Sequence, residues 1–314
     1  MPQTYLKHFL HNDSLFMYKK GEKFFDKKIK PEDRIFKVNT EAGLRNIGVE
    51  RHLYDPKIDG ISSDDLENIF EELGEGSYDA TIAAIRTLPY GSSIPANIKS
   101  SLCPLMASLR VRTPLFKKEI EEIGEETRKH LMAARYERMS LEDVAKHAKE
   151  ALGKEITVES ASKIRNSFVS KKHTLKYPNA YFIRHALLRI EEYVNIFQQM
   201  TMVIYKSHSR FFMTNDNPVV YFVPQKNVDA YNPPKGLVAQ YCEVFFPLTK
   251  DLAIHLTWRN KGENLLPANR EIINAFNENL SHNSLDYIFS PMKVEELEKF
   301  TQKYIPYPFK LVIR

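Results

Sequence analysis

Glycine is scarce in this chain. The 11 glycines among 314 residues are dispersed, so neither a phosphate-cradling Walker loop nor a dinucleotide-binding glycine fingerprint can be assembled. The Gly-x-Ser-x-Gly elbow and the His-Glu-x-x-His pair are missing as well, which leaves α/β-hydrolase and zincin chemistry without support. Cysteine is rarer still. Cys103 and Cys242 lie far apart with no Cys-x-x-Cys spacing, which argues against a zinc ribbon or a disulfide scaffold and predicts two buried thiols. No apolar run approaches the ~20 residues that span a bilayer. The opening Met1-Pro2-Gln3-Thr4-Tyr5-Leu6-Lys7 lacks the basic-then-apolar order of a secretory signal. The expectation is a cytoplasmic protein with no membrane partner.

What is present is globular. The hydrophobic and charged fractions, 43% and 27%, exclude disordered and collagen-like classes. A chain of 314 residues can bury a core without staples. The net charge of +5 is a mild basic bias that permits an anionic partner without requiring one.

Short strands are predicted at Leu15–Tyr18 and Arg34–Val38, with the lysine-rich stretch 19–30 between them as a hairpin loop. Helical periodicity begins after Gly60, where Leu66, Ile69, Phe70 and Leu73 share a face behind a capping pair Asp64 and Glu67. Further helices are predicted from Pro95 to Arg110, from Lys117 to Met139, after Ser140, and from Thr157 to Phe168. Ile183, Leu187, Ile190, Val194 and Phe197 mark what reads as the longest helix. Beyond Met200 the pattern turns to strands: Met202–Tyr205 paired with Phe211–Met213, then Val219–Val223, then a hairpin of Val244–Leu248 and Leu252–Leu256. A helix from Asn269 to Leu280, a strand at Tyr287–Phe289, a helix from Val294 to Phe300 and an edge strand at Phe309–Ile313 complete the reading. The class is α+β, with a helical middle and a mostly antiparallel sheet formed largely by the C-terminal third and joined by the N-terminal strands. The expected organisation is one compact domain, 1–314, with a helical subdomain 62–199 between sheet-forming 1–61 and 200–314.

The stretch from Arg210 to Phe222 organises the chain. Two aromatic and β-branched runs flank a polar knot, Thr214-Asn215-Asp216-Asn217-Pro218, which reads as strand, sharp turn, strand. Asp216 is the best candidate for a general base or metal ligand, with Thr214 and Asn217 placed to bind a polar substrate. An Asp before Asn-Pro also serves a turn, its carboxylate accepting a backbone N–H two residues on. His8 and His11, three apart, would share a face on a helix, and His8 is the second catalytic candidate. Arg110 and Arg112 close a helix and offer bidentate phosphate contacts, although a cation in a last turn also opposes the helix dipole. Asn277 completes the substrate-binding set. No metal-ligating set is assembled, and a divalent metal is compatible as cofactor.

The pieces Phe212 to Val220, Phe246-Pro247-Leu248-Thr249, Ile273-Asn274-Ala275-Phe276-Asn277 and Tyr287-Ile288-Phe289-Ser290 together resemble a bacterial family catalogued as domain of unknown function 4238. Pro2 to Phe9, Glu50 to Tyr54 and Arg112-Thr113-Pro114 are similar to it too, so the resemblance covers nearly the whole chain in order. That family pattern opens with histidines just before the first proline, where this chain has Met1. The resemblance implies a boundary and an order of motifs and no reaction.

The functional expectation is a hydrolase acting on a phosphate-containing substrate, RNA or nucleotide. The alternative is a non-catalytic module of a defence or stress system, holding RNA, DNA or a protein. It would use the lysine-rich hairpin and the basic surface around Lys163, Lys171 and Lys172. Helices 140–152 and 157–168 also invite a helix-turn-helix reading, with Lys163, Arg165 and Asn166 on the reading helix.

Overall fold

The structure, a computed structural model, describes residues 2–20, 35–39, 44, 62–173, 178–224, 236–259 and 262–301. The central part of the lysine-rich stretch, 21–30, the similar piece 50–54 and the expected edge strand at 309–313 lie outside the described residues. The chain divides into two compact units, one formed by 1–116 with 183–314 and the other by 117–182.

The larger unit carries two sheets. In the first, β1 (Ser14–Lys19) lies between β2 (Ile35–Asn39) and β9 (Tyr287–Ser290), and β9 also pairs with the two-residue β4 (Thr214–Asn215), all antiparallel. The second sheet runs β5 (Val220–Phe222), β6 (Glu243–Pro247), β7 (Leu252–Thr257), β3 (Thr201–Lys206) and β8 (Leu265–Pro267). Only the β3–β8 pair within it is parallel. The α+β class holds, with both sheets mostly antiparallel and drawn largely from the C-terminal region.

The helices, in chain order, are α1 (Gln3–Leu6), α2 (Ser63–Phe70), α3 (Tyr78–Thr87), α4 (Ala96–Val111), α5 (Pro114–Arg138), α6 (Leu141–Leu152), α7 (Val158–Val169), α8 (Asn179–Gln199), α9 (Arg270–His282) and α10 (Glu295–Thr301). Four of the starts have a side-chain cap. Ser140, Thr157 and Asn269 accept the N3 amides of α6, α7 and α9. The capping box of α2 is Ser62 with Asp65, two residues before the expected Asp64–Glu67 pair, because Ser62 already stands in the extended conformation that an N-cap needs. Gly153 ends α6 in the left-handed conformation, φ 67°. Gly74, φ 126°, lets the chain after α2 lie against α4: a Cβ there would stand 3.0 Å from Leu105 Cβ.

The longest helix is α5, 25 residues, rather than the 21-residue α8. Its apolar stripe is weak. Pairs four apart, such as the half-buried Glu125 with Lys129 at 2.6 Å, support it. In the smaller unit Arg165 of α7 donates to the carbonyls of Tyr136 and Glu137 at 3.0 and 2.8 Å, closing the end of α5. Lys163 pairs with Glu159 at 2.7 Å and Lys171 meets His130 at 2.8 Å. Lys163 and Arg165, named for a reading helix, and Lys171, named for a basic surface, thus each have a partner within their own unit.

One expectation about strands is corrected. Met202–Tyr205 does not pair with Phe211–Met213, which is not a strand. β3 pairs with β7 and β8 instead, and the chain after it crosses to the first sheet. Phe212 joins a core cluster with Phe245, Ala253, Ile273 and Phe276, where α9 packs on the second sheet. Met213 joins Tyr18, Ile288 and Leu297, where α10 packs on the first. Two successive side chains thus enter different cores.

Candidate functional site

The polar knot lies where the chain passes from one sheet to the other. β4 on its N-terminal side belongs to the first sheet and β5 on its C-terminal side to the second. A chain that changes sheets cannot satisfy its backbone from one ladder, so side chains take over. Asn215 Oδ1 accepts the N–H of Asn217 at 2.9 Å, and its Nδ2 donates to the carbonyl of Leu280 at 2.5 Å. The turn-forming Asx residue is thus Asn215.

Asp216 reaches elsewhere. Its Oδ1 accepts the N–H of Leu285 at 2.8 Å, and its Oδ2 accepts those of Asp286 and Tyr287 at 2.6 and 2.9 Å. Three successive amides form a concave anion site at the entry to β9, and this carboxylate fills it. Asp216 is 3% exposed. Burial pushes its pKa up to about 6, against the downward pull of the three amides. Lys20 is buried close by, donating to the carbonyls of Ser284 and Ser281 at 2.8 and 3.3 Å. Burial lowers its pKa, and the charges of Asp216 and Asp286 oppose that shift.

The other residues named from sequence fall into two groups. Thr214, Asn217, Arg110 and Asn277 gather around the knot. The Thr214 hydroxyl is 2.8 Å from Tyr5 Oη, which also donates to the carbonyl of Pro247 at 2.6 Å. Arg110, 1% exposed, donates to Asn217 Oδ1 at 3.2 Å and lies over the rings of Tyr221 and Phe116, 5.3 and 5.7 Å from their centroids. Asn277 Oδ1 accepts the N–H of Met213 at 2.9 Å while its Nδ2 donates to the carbonyl of Phe211 at 3.1 Å. His8 and Arg112 form separate pairs. His8 Nε2 is 2.7 Å from Asp79, and burial lowers its pKa against the pull of that carboxylate. Arg112 is ion-paired to Glu75 and lies 4.2 Å from the centroid of the Phe70 ring. His11 stands beyond the short helical segment at the N-terminus, its ring 4.7 Å from that of Phe211.

Beside the knot opens a cleft of about 640 Å³. One wall is the outer face of α9, carrying Arg270, Asn274, Asn277, Glu278 and His282; the segment Ser209–Met213 and residues of β9 and α10 complete it. Three of the four motif pieces, those holding Met213, those holding Ile273, Asn274 and Asn277, and that holding Ser290, contribute lining residues. Neither Arg210 nor Arg270 makes a side-chain ion pair or hydrogen bond among the described residues, and both are exposed on the cleft. Sequence reasoning passed over Arg210, Arg270, Glu278 and His282. The available signal was the four-residue spacing of Arg270, Asn274, Glu278 and His282, which sets one polar stripe on a helix whose opposite face is apolar. Among the described residues no three His, Cys, Asp or Glu side chains come together as a metal site. No described helix is long and apolar enough to cross a membrane.

These features define an α+β protein of two mostly antiparallel sheets, with a polar crossover between them and a mixed cationic and acidic cleft beside it. The chain belongs to the family described as protein of unknown function (DUF4238), whose model matches residues 1–293. No curated protein matches the chain, and no solved structure does.

Proposed function

We propose that the protein hydrolyses a phosphate-containing substrate in the cleft between α9 and the Ser209–Met213 segment. The observation that carries this reading is the pair of unengaged guanidinium groups, Arg210 and Arg270, on a cleft of about 640 Å³. That volume suits a ligand of nucleotide size, and guanidinium groups match phosphate oxygens bidentately. Glu278 and His282 supply the acid–base pair. Four residues apart on one helix, their Cβ atoms stand about 5–6 Å from each other. Glu278 takes a proton from water as the water oxygen bonds to phosphorus, the ester P–O bond breaks, and His282 returns a proton to the leaving oxygen. Arg210 and Arg270 neutralise the charge on the phosphoryl oxygens. In this reading Asp216, Asn215 and Asn277 act on architecture: they fix the wall that carries Arg210.

The test is release of inorganic phosphate from nucleotides and sugar phosphates at pH 6–8, with and without magnesium or manganese. Activity that falls at least 100-fold in the Arg210→Ala/Arg270→Ala double variant and in Glu278→Gln, with unfolding midpoints unchanged, supports the proposal. No phosphate release from any substrate, or a double variant as active as the parent, overturns it.

A further inference from the structure

The walls of this cleft differ in chemistry, and the difference bears on what is attached to the phosphate. Phe211 is the aromatic side chain of the lining. Its backbone is clamped at its carbonyl by Asn277 Nδ2, and the following Met213 amide is held by Asn277 Oδ1. Its ring is packed by His11, 4.7 Å between centroids, and by Lys250 Nζ, 5.8 Å from its centroid. Lys250 is itself anchored, donating to the carbonyl of Leu10 at 2.6 Å. The ring is therefore positioned by backbone clamps and by neighbours before any ligand arrives. Adjacent in sequence stands Arg210, and across the cleft stand Arg270 and Asn274. Asn274 is exposed, and its amide makes no hydrogen bond among the described residues. A fixed aromatic ring, a free carboxamide and two free guanidinium groups within one cleft match the three parts of a nucleotide. A base stacks on an aromatic face, its edge hydrogen-bonds to an amide, and the phosphate meets arginine.

We propose that the cleft is a nucleotide site in which Phe211 stacks the base, Asn274 bonds its edge, and Arg210 with Arg270 hold the phosphate. This rests on the reading of the cleft as a phosphate site, and it adds the base. A sugar phosphate without a base would leave Phe211 and Asn274 unused. A free nucleotide and the phosphorylated end of an RNA strand present the same group.

The experiment is calorimetric titration of the full chain with AMP, UMP, ribose 5-phosphate, adenosine and inorganic phosphate. AMP is expected to bind about tenfold or more tighter than ribose 5-phosphate. Phe211→Leu and Asn274→Leu should each bring AMP toward the ribose 5-phosphate level while leaving ribose 5-phosphate itself unchanged. Arg210→Ala should weaken every phosphate ligand and leave adenosine alone. If ribose 5-phosphate binds as tightly as AMP, or Phe211→Leu weakens both alike, the nucleotide assignment fails and the phosphate reading stands. If adenosine binds as tightly as AMP, the phosphate reading fails and the stacking site stands. If none of the five binds, both fail. A 5′-phosphorylated hexa-adenylate that competes with AMP assigns the site to strand ends, and one that does not assigns it to free nucleotide; either outcome supports the base-stacking inference.

Discussion

Asn277 acts as a one-residue strand for Met213. Its carboxamide accepts the Met213 N–H at 2.9 Å and donates to the Phe211 carbonyl at 3.1 Å, the two bonds a neighbouring strand would have made. Removing it leaves a donor and an acceptor unmatched beside two cores, at a cost of about 1–3 kcal/mol for each buried group. Asn277→Ala is expected to lower unfolding stability by roughly 2–6 kcal/mol on that arithmetic. Urea denaturation checks it: a loss under about 0.5 kcal/mol, the scale of a neutral surface change, would deny the clamp.

Asp216 gives the fold a pH dependence of unusual sign for a carboxylate. Its pKa rises from 3.8 to about 6 on folding, so the folded state favours the protonated form. The stability this provides is fully present below pH 3.8 and is lost as pH rises through about 6. About two units correspond to roughly 3 kcal/mol. Asp216→Asn removes the ionisation, and its urea-unfolding free energy should lack this fall between pH 4 and 7. Parallel pH profiles for the two proteins would sink the assignment.

Tyr5 joins the N-terminal helix to both sheets. Its hydroxyl meets Thr214 of β4 and the carbonyl of Pro247 in β6, and its ring stacks on Phe246 at 5.6 Å. Burial raises its pKa well above the ordinary tyrosine value, so it stays neutral and keeps its proton for donation. Tyr5→Phe retains the stacking and loses both bonds, with an expected cost of about 1–3 kcal/mol from the orphaned partners. Thermal unfolding reads it, and an unchanged midpoint would show that those bonds contribute nothing.

Both cysteines are buried, and burial pushes each pKa up to about 12. At pH 8 almost none of either thiol is ionised, and the thiolate is the reactive form. A chromogenic disulfide reagent should therefore label neither in the native chain and both in denaturant. Rapid native labelling of one would place that cysteine at an accessible surface.

Periodicity made the helices legible, since Ser140, Gly153 and Thr157 punctuate them by local rules that hold whatever packs nearby. The β6–β7 hairpin was legible for the same reason, its register following from a short turn. The crossover was not. Phe211–Met213 has strand composition, but two of its backbone hydrogen bonds go to the side chain of Asn277, 64 residues beyond Met213, and the Phe212 N–H goes to the Lys250 carbonyl. Asp216 was legible as exceptional but not in its role, because its three amide partners lie about 70 residues away. Arg270 had only the four-residue spacing of its polar stripe as a signal, and Arg210 had none. Both line one cleft, and tertiary structure alone brings these positions, 60 residues apart, to it.

The first sheet has a consequence for synthesis. Its strand β1 ends at Lys19, yet the strand beside it, β9, begins at Tyr287, and the pair is in register from Phe16 with Ser290 to Lys19 with Tyr287. Closing so long a loop costs entropy that only late contacts repay, and such topologies fold slowly. On a ribosome adding about 5–20 residues each second, β1 waits tens of seconds for its neighbour. During that wait the strand's edge and the aromatic residues of the N-terminal segment have no native cover, so chaperone dependence should concentrate in that interval.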